Sequence, residues 1–455
     1  MKRDLERDLF NWKERNDRLP LLLRGARQVG KSYIVEEFGK KAFKNIVIVN
    51  FEFRPELKAC FTTLDPVEII NKLRLLMGEA IETEKTLLFL DEIQECPNAI
   101  MALRYFKEKY NKLAVIGAGS LMEFALNNSN FKMPVGRVQF IYLEPLSFGE
   151  FLTASGNEQL RHYLGQLRLN SVFDDALHRK LMDLLRVYFV VGGMPAVVKE
   201  YLESRNFLNC QQIQNSLFQT YRSDFGKYAK SSEHKYLQKV LDETPRLVGD
   251  RIKYSNIDAD SKSRDIKQAL NLLKLTGIIY PVYATAASGL PLEAQVNEMK
   301  FKLNFLDVGL MQNACGLQAE LTLTNDFIQI NSGAVTEQFI GQELRAYSDS
   351  YLKRGLFFWA RDKKNSSAEV DYVMAVDSLI LPVEVKAGKT GTLKSLKLFI
   401  EEKKSLFGVR FSQEKLSLHD RVLTLPLYMA EQIERLVREV KDLMGLDSLP
   451  IRGPQ

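Results

Sequence analysis

The chain has 455 residues, 45% of them hydrophobic, with a formal charge of +6, so it exceeds one ordinary core and predicts roughly three domains of about 150 residues each. So mild a charge permits a nucleic-acid partner without requiring one, and Cys60, Cys96, Cys210 and Cys315 match no zinc or redox spacing, which predicts free thiols. The start, Met1-Lys2-Arg3-Asp4-Leu5-Glu6-Arg7, is too charged for a signal segment and no apolar run reaches the length of a membrane span, so a cytoplasmic protein is expected.

Leu9 to Lys13 predicts a short amphipathic helix that packs its aromatics on the first domain. Leu21-Leu22-Leu23-Arg24 then reads as an apolar strand running into Gly25-Ala26-Arg27-Gln28-Val29-Gly30-Lys31-Ser32. A Gly-x4-Gly-Lys-Ser loop between strand and helix cradles phosphates with its backbone N–H groups. Lys31 reaches the β and γ phosphates, and the Ser32 hydroxyl can ligate Mg²⁺. A helix from Ser32 to Phe38, stopped by Gly39, turns its positive N-terminus to the same anion. Asn45 to Phe51 predicts a buried parallel strand, and Asp65-Pro66 opens a helix to Met77.

Thr86-Leu87-Leu88-Phe89-Leu90-Asp91-Glu92 is an apolar run ending in two carboxylates, at the strand edge where open α/β sheets bind ligands. It looks like a Walker B motif, in which Asp91 would hold Mg²⁺ and Glu92 would prepare the attacking water. A further strand, Leu113 to Gly119, ends at Ser120, which either senses the γ-phosphate or caps the helix from Leu121 to Leu126. Arg104 and Arg137 are each read either as an arginine finger supplied by a neighbouring copy or as a structural arginine.

These residues resemble a family of bacterial AAA-type ATPases with a C-terminal nuclease-like domain. The resemblance rests on Trp12-Lys13, Gly25 to Ser32, Leu90-Asp91-Glu92-Ile93-Gln94, Gly136-Arg137-Val138 and Pro145-Leu146-Ser147-Phe148-Gly149-Glu150-Phe151. It continues in Gly192-Gly193-Met194-Pro195 and Phe305-Leu306-Asp307-Val308-Gly309-Leu310. It implies an α/β fold with an AAA-type P-loop core over residues 1–155 and a helical lid over 156–233. No arginine of the usual sensor type stands beside Pro195.

Residues 234–315 read as a winged helix: a helix from Tyr236 to Val248, a second from Ser263 to Leu273, and strands Ile278 to Tyr283 and Phe301 to Leu306. Helix-turn-helix logic turns Ser263, Arg264, Lys267 and Gln268 toward DNA, although many such modules serve only in packing. Residues 316–455 form the last domain. A helix from Val335 to Ala346 carries Glu337 and Glu343, followed by a strand from Leu356 to Ala360. Ala368 to Met374 and Leu379 to Lys386 then predict a hairpin.

Residues two apart share a strand face, so Glu384 and Lys386 lie together and can converge with Asp371. Two carboxylates on Mg²⁺ beside a lysine can activate water against a phosphodiester, which matches the PD-(D/E)xK nuclease pattern. Glu337 resembles the accessory helix carboxylate of that fold, so Glu337, Asp371 and Glu384 are the expected metal ligands and Lys386 the catalytic lysine. A lysine–glutamate pair on an exposed strand face is the plainer alternative. His162, His178, His234 and His419 have no ligand-like spacing. The expected protein is a cytoplasmic Mg²⁺-dependent ATPase, able to form homo-oligomers. Its rivals are an ATP-licensed DNA endonuclease and a nucleotide-switched binding protein with an inactive nuclease fold.

Overall fold

The computed structural model describes residues 1–126, 136–316, 332–353, 355–361, 367–388 and 392–445. Helix α1 (Leu5–Lys13) buries Leu5, Leu9 and Trp12, one stripe at helical spacing. The Trp12 indole N–H donates to Leu19 O at 2.7 Å and the ring packs on Phe38, which fixes α1 against the helix that carries Lys31.

The first sheet holds β1 (Leu21–Arg24), β2 (Asn45–Asn50), β3 (Thr86–Asp91), β4 (Ala114–Ala118) and β5 (Gln139–Tyr142), all parallel, in the order β2-β3-β4-β1-β5. Helices α2 (Lys31–Ala42), α3 (Pro66–Met77), α4 (Pro97–Lys109) and α5 (Met122–Leu126) connect these strands. Leu21 and Leu23 join the core on the α1 and α2 side, while Leu22 packs with Val47, Leu88 and Val115 on the other. Burial on both faces is why the strands read as continuous apolar runs, and each such side chain contributes about 1.5–3 kcal/mol. Since β4 lies between β1 and β3, its end stands between the phosphate loop and the carboxylates.

Gly39 does not stop α2, which continues to Ala42. A Cβ at Gly39 would lie 2.6 Å from Ile46 Cδ1 and 3.1 Å from Leu87 Cδ2, so the glycine allows the helix to pack closely on β2 and β3.

The middle of the chain is helical: α6 (Phe148–Ala154), α7 (Glu158–Gln166), α8 (Asp175–Val191), α9 (Pro195–Ser204), α10 (Phe207–Ser223), α11 (Phe225–Tyr228), α12 (His234–Glu243), α13 (Tyr254–Ile257) and α14 (Ser263–Leu275). Side-chain caps open several of them, as where Asp174 accepts from Ala176 and Leu177 and Asn206 from Leu208 and Asn209.

A second sheet follows, from β6 (Ile279–Thr285), β7 (Val296–Phe305), β8 (Leu356–Ala360), β9 (Glu369–Val376), β10 (Leu379–Val385), β11 (Gly408–Ser412), β12 (Ser417–His419) and β13 (Val422–Pro426). Its order is β12-β13-β11-β10-β9-β8-β6-β7, with α15 (Val308–Ala314), α16 (Ser332–Ala346), α17 (Lys394–Glu402) and α18 (Ile433–Leu443) completing the module. The β9–β10 hairpin forms as expected. Strands β6 and β7, expected as part of a separate winged helix, form a hairpin that pairs through β6 with β8, Val282 facing Leu356. One sheet therefore crosses the expected division at 315/316, next to which residues 317–331 lie outside the described residues.

A buried polar junction ties the parts together. Asp307 accepts from the N–H of Gly193 at 2.6 Å and of Leu310 at 3.0 Å, and Leu146 N–H donates to Gly193 O at 2.7 Å. Glu343 accepts from Phe148 N–H at 3.0 and 3.1 Å, and Gln342 donates to the Tyr188 hydroxyl at 2.8 Å. Burial pushes the Asp307 carboxyl up to about 6 and that of Glu343 up to about 8. Glu343 is thus a link between α16 and the start of α6. No helix among the described residues is long and apolar enough to cross a membrane.

Candidate nucleotide-binding site

The phosphate loop forms at the end of β1 because its glycines permit what other residues do not. Gly25 has φ +153°, and a Cβ there would lie 2.3 Å from Leu143 O, so the loop hugs the segment after β5. Gly30, at φ +97°, begins α2 in the left-handed region. Lys31 is buried, and its ammonium donates to Gly25 O at 3.0 Å and Ala26 O at 2.8 Å, folded back over the loop it would share with phosphate.

At the adjoining corner Ser32 Oγ donates to both Asp91 oxygens at 3.0 Å, and Asn50 Nδ2 donates to Oδ2 at 3.0 Å. Burial, and then the neighbouring Glu92, raise the Asp91 carboxyl. A hydroxyl and a carboxylate oxygen in contact at a sheet edge are the hard donors that Mg²⁺ takes, so these residues fit that ion. Glu92 leaves the strand in the left-handed region, φ 48°, and Gln94 Nε2 donates to its Oε2 at 2.6 Å, which orients the carboxylate. Ser120 Oγ is buried with no hydrogen-bond partner, so it does not cap α5. Gly119 beside it has no room for a Cβ, which would fall 2.0 Å from Gln94 Oε1.

The loop is covered from several directions. Arg3 donates to Val29 O at 3.0 Å, Glu144 O at 2.6 Å and Glu150 Oε1 at 3.0 Å. Arg27 donates to Asp224 Oδ1 at 2.8 Å, between α10 and α11. A Cβ at Gly30 would sit 3.5 Å from Pro195 Cγ, and one at Gly277 would sit 3.5 Å from Ala26 Cβ. A cavity of about 850 Å³ runs beside Gly25 and Ala26, with Arg3, Ser120, Glu144 and Arg345 among its walls.

Burial lowers the Lys31 ammonium to about 8, against the opposing pull of Glu92 and Asp91. Since the cation is the form that binds phosphate, it is lost as pH rises through that value, well below the range where an exposed lysine titrates. ATP affinity should therefore hold from about pH 7 to 8 and then fall, approaching about tenfold per further unit. Titration of a fluorescent nucleotide from about pH 7 to 9.5 checks this; a flat profile would contradict it.

Arg104 and Arg137 both donate through Nε to Glu108 Oε1, at 3.0 and 3.1 Å. Arg137 precedes Gln139, which pairs with Leu21 at the start of β1, so it stands at the end of the sheet opposite the phosphate loop. Neither arginine completes this site within one chain. Ser263, Arg264, Lys267 and Gln268 are exposed on α14, and Gln268 donates to Glu233.

In the last sheet Asp371 Oδ2 accepts from Val385 N–H at 2.7 Å, which brings β9 and β10 carboxylates together, and Lys386 pairs with Glu384. Glu384 is buried, its Oε2 lacks a hydrogen-bond partner, and burial and Asp371 raise its carboxyl to about 7. Glu337 is engaged differently, by the Lys302 ammonium at 2.9 Å, and burial raises its carboxyl. Among the described residues no group of three or more His, Cys, Asp or Glu side chains is arranged to hold a metal ion. Lys302, Glu369, Arg3, Asn50, Gln94 and Asp224 carry no sequence signal for the contacts they make. Gln94 alone lies within a motif, two residues beyond Glu92.

A family model described as "AAA domain" matches residues 17–152, spanning β1 to the start of α6. That match meets a sheet in which the phosphate loop follows β1, the carboxylates follow β3, and β4 lies between. The N-terminal part is an AAA-type P-loop ATPase domain. Beyond the AAA domain, residues 182–321 and 332–429 match two models described as domains of unknown function, DUF8612 and DUF4143. No curated protein matches.

Among solved structures, a Walker-type ATPase of Pyrococcus abyssi is 16% identical with a TM-score of 0.44, over 69% of this chain and 95% of its own. The ORC2 protein of Aeropyrum pernix is 13% identical with a TM-score of 0.34, over 70% and 93%. The RuvB Holliday junction branch migration motor of Thermotoga maritima is 14% identical with a TM-score of 0.28, over 60% and 86%. These likenesses are distant, and the assignment of the AAA domain rests on the family model and the strand order.

Proposed function

We propose that this chain binds ATP with Mg²⁺ and transfers the γ-phosphoryl group to water. The observation that carries the reading is the Ser32–Asp91 contact at 3.0 Å, one residue before Glu92 and beside the Lys31 loop. The loop N–H groups and Lys31 hold the phosphates and stabilise charge on the γ-phosphoryl oxygens. Ser32 and Asp91 would hold Mg²⁺, which when bound would supply positive charge to the phosphates. Glu92, oriented by Gln94, accepts a proton from the attacking water, and Ser120 hydrogen bonds the γ-phosphate with its free hydroxyl. Arg137, at the end of the sheet away from the loop, acts on the site of a neighbouring copy.

The helical segment and C-terminal module respond to the nucleotide through Arg27–Asp224, Pro195 at Gly30 and Gly277 at Ala26. A phosphate-release assay tests the metal corner. Ser32→Ala removes one metal ligand and keeps Asp91, so the Mg²⁺ concentration for half-maximal rate should rise, by roughly tenfold for a contribution of about 1.4 kcal/mol. An unchanged Mg²⁺ dependence would contradict the assignment.

A further inference from the structure

Three carboxylates of the second sheet region surround one ammonium where the nuclease pattern calls for a divalent ion. Lys302, on β7, is 1% exposed. Its Nζ lies 2.9 Å from Glu337 Oε1, 2.5 Å from Glu369 Oε1 and 3.8 Å from Asp371 Oδ1. The lysine comes from the hairpin that pairs with β8, Glu337 from α16, and Glu369 and Asp371 from β9, so no sequence neighbour links cation to anions.

Most of the remaining oxygens are also committed. Glu369 Oε2 accepts from Arg251, Asp371 Oδ2 from Val385 N–H, and Glu384 Oε1 from Lys386. Glu384 Oε2 is buried without a partner, and the oxygens left over fall short of the near-octahedral set that Mg²⁺ demands. A divalent ion placed among Glu337, Asp371 and Glu384 would meet the Lys302 ammonium at close range, in a buried setting that screens the repulsion poorly.

We infer that Lys302 is the resident cation of this centre, holding Glu337, Glu369 and Asp371 in place of a divalent metal, and that the C-terminal module works without metal-dependent phosphodiester cleavage. The three carboxylates are held by a charge that cannot leave, so the centre keeps them together without a divalent ion.

The test is an Mn²⁺ titration, read by electron paramagnetic resonance, on the full chain free of nucleotide and carrying Asp91→Asn to silence the ATPase corner. The expected result is no bound Mn²⁺ that Asp371→Asn removes; a bound ion lost on Asp371→Asn would overturn the inference, whatever the ATPase does. Lys302→Ala in the same background should gain one Mn²⁺ per chain, lost again on Asp371→Asn, and its thermal midpoint should rise with added Mn²⁺. A folded Lys302→Ala chain that binds no Mn²⁺ would show that the lysine does not occupy a cation position. If Lys302→Ala does not fold, the effect of Asp371→Asn on Mn²⁺ binding by the chain that retains Lys302 decides alone.

Discussion

Lys31→Ala should abolish ATP turnover, with a loss of at least about 10²-fold, the scale for removing one preorganised donor from a developing charge. Burial is the main reason. Lys31 is 8% exposed and sits within the loop, donating to Gly25 O and Ala26 O. A methyl group there removes the loop's own ammonium from the β and γ phosphates, and the arginines that cover the loop are engaged elsewhere, Arg27 with Asp224 and Arg3 with Glu150. Backbone N–H groups alone cannot replace a full charge in a desolvated loop. Steady-state phosphate release from ATP measures the effect, and turnover at the unmodified rate would remove the loop from the chemistry.

Glu92→Gln should separate binding from chemistry. The amide is nearly isosteric, Asp91 keeps its contacts to Ser32 and Asn50, and the loop is untouched. Nucleotide affinity should therefore persist while turnover falls by about 10²–10⁴-fold, the range for losing a general base. Equilibrium binding and phosphate release on the same preparation distinguish the outcomes. Loss of both together would make Glu92 a structural residue, its left-handed backbone serving only the turn into Gln94.

What can be read from the sequence is what lies close along it. The strand, glycine loop and helix from Leu21 to Ala42, and the apolar run closing on Asp91-Glu92, each carry their geometry in a short continuous stretch. The same local logic fails at Gly39: a glycine late in a helix signals a stop, but here the close approach of Ile46 and Leu87 decides. Strands β6 and β7 are legible as strands, whereas the pairing of β6 with β8 depends on a segment far downstream. Lys302 and Glu337 meet across 35 residues, and Arg27 and Asp224 across 197, separations that leave no periodicity to detect. Glu343 can be weighed from the sequence only against Glu337 as a ligand, and its role as acceptor for Phe148 N–H requires the fold.

The most direct measurement is a single-turnover experiment on the purified chain with substoichiometric γ-labelled ATP, started by adding Mg²⁺. ATP should bind and be converted to ADP and phosphate only after Mg²⁺ is added, and in Glu92→Gln the bound ATP should remain intact over the same interval. Failure of the unmodified chain to bind ATP, or conversion at the same rate in chelator, would contradict the account.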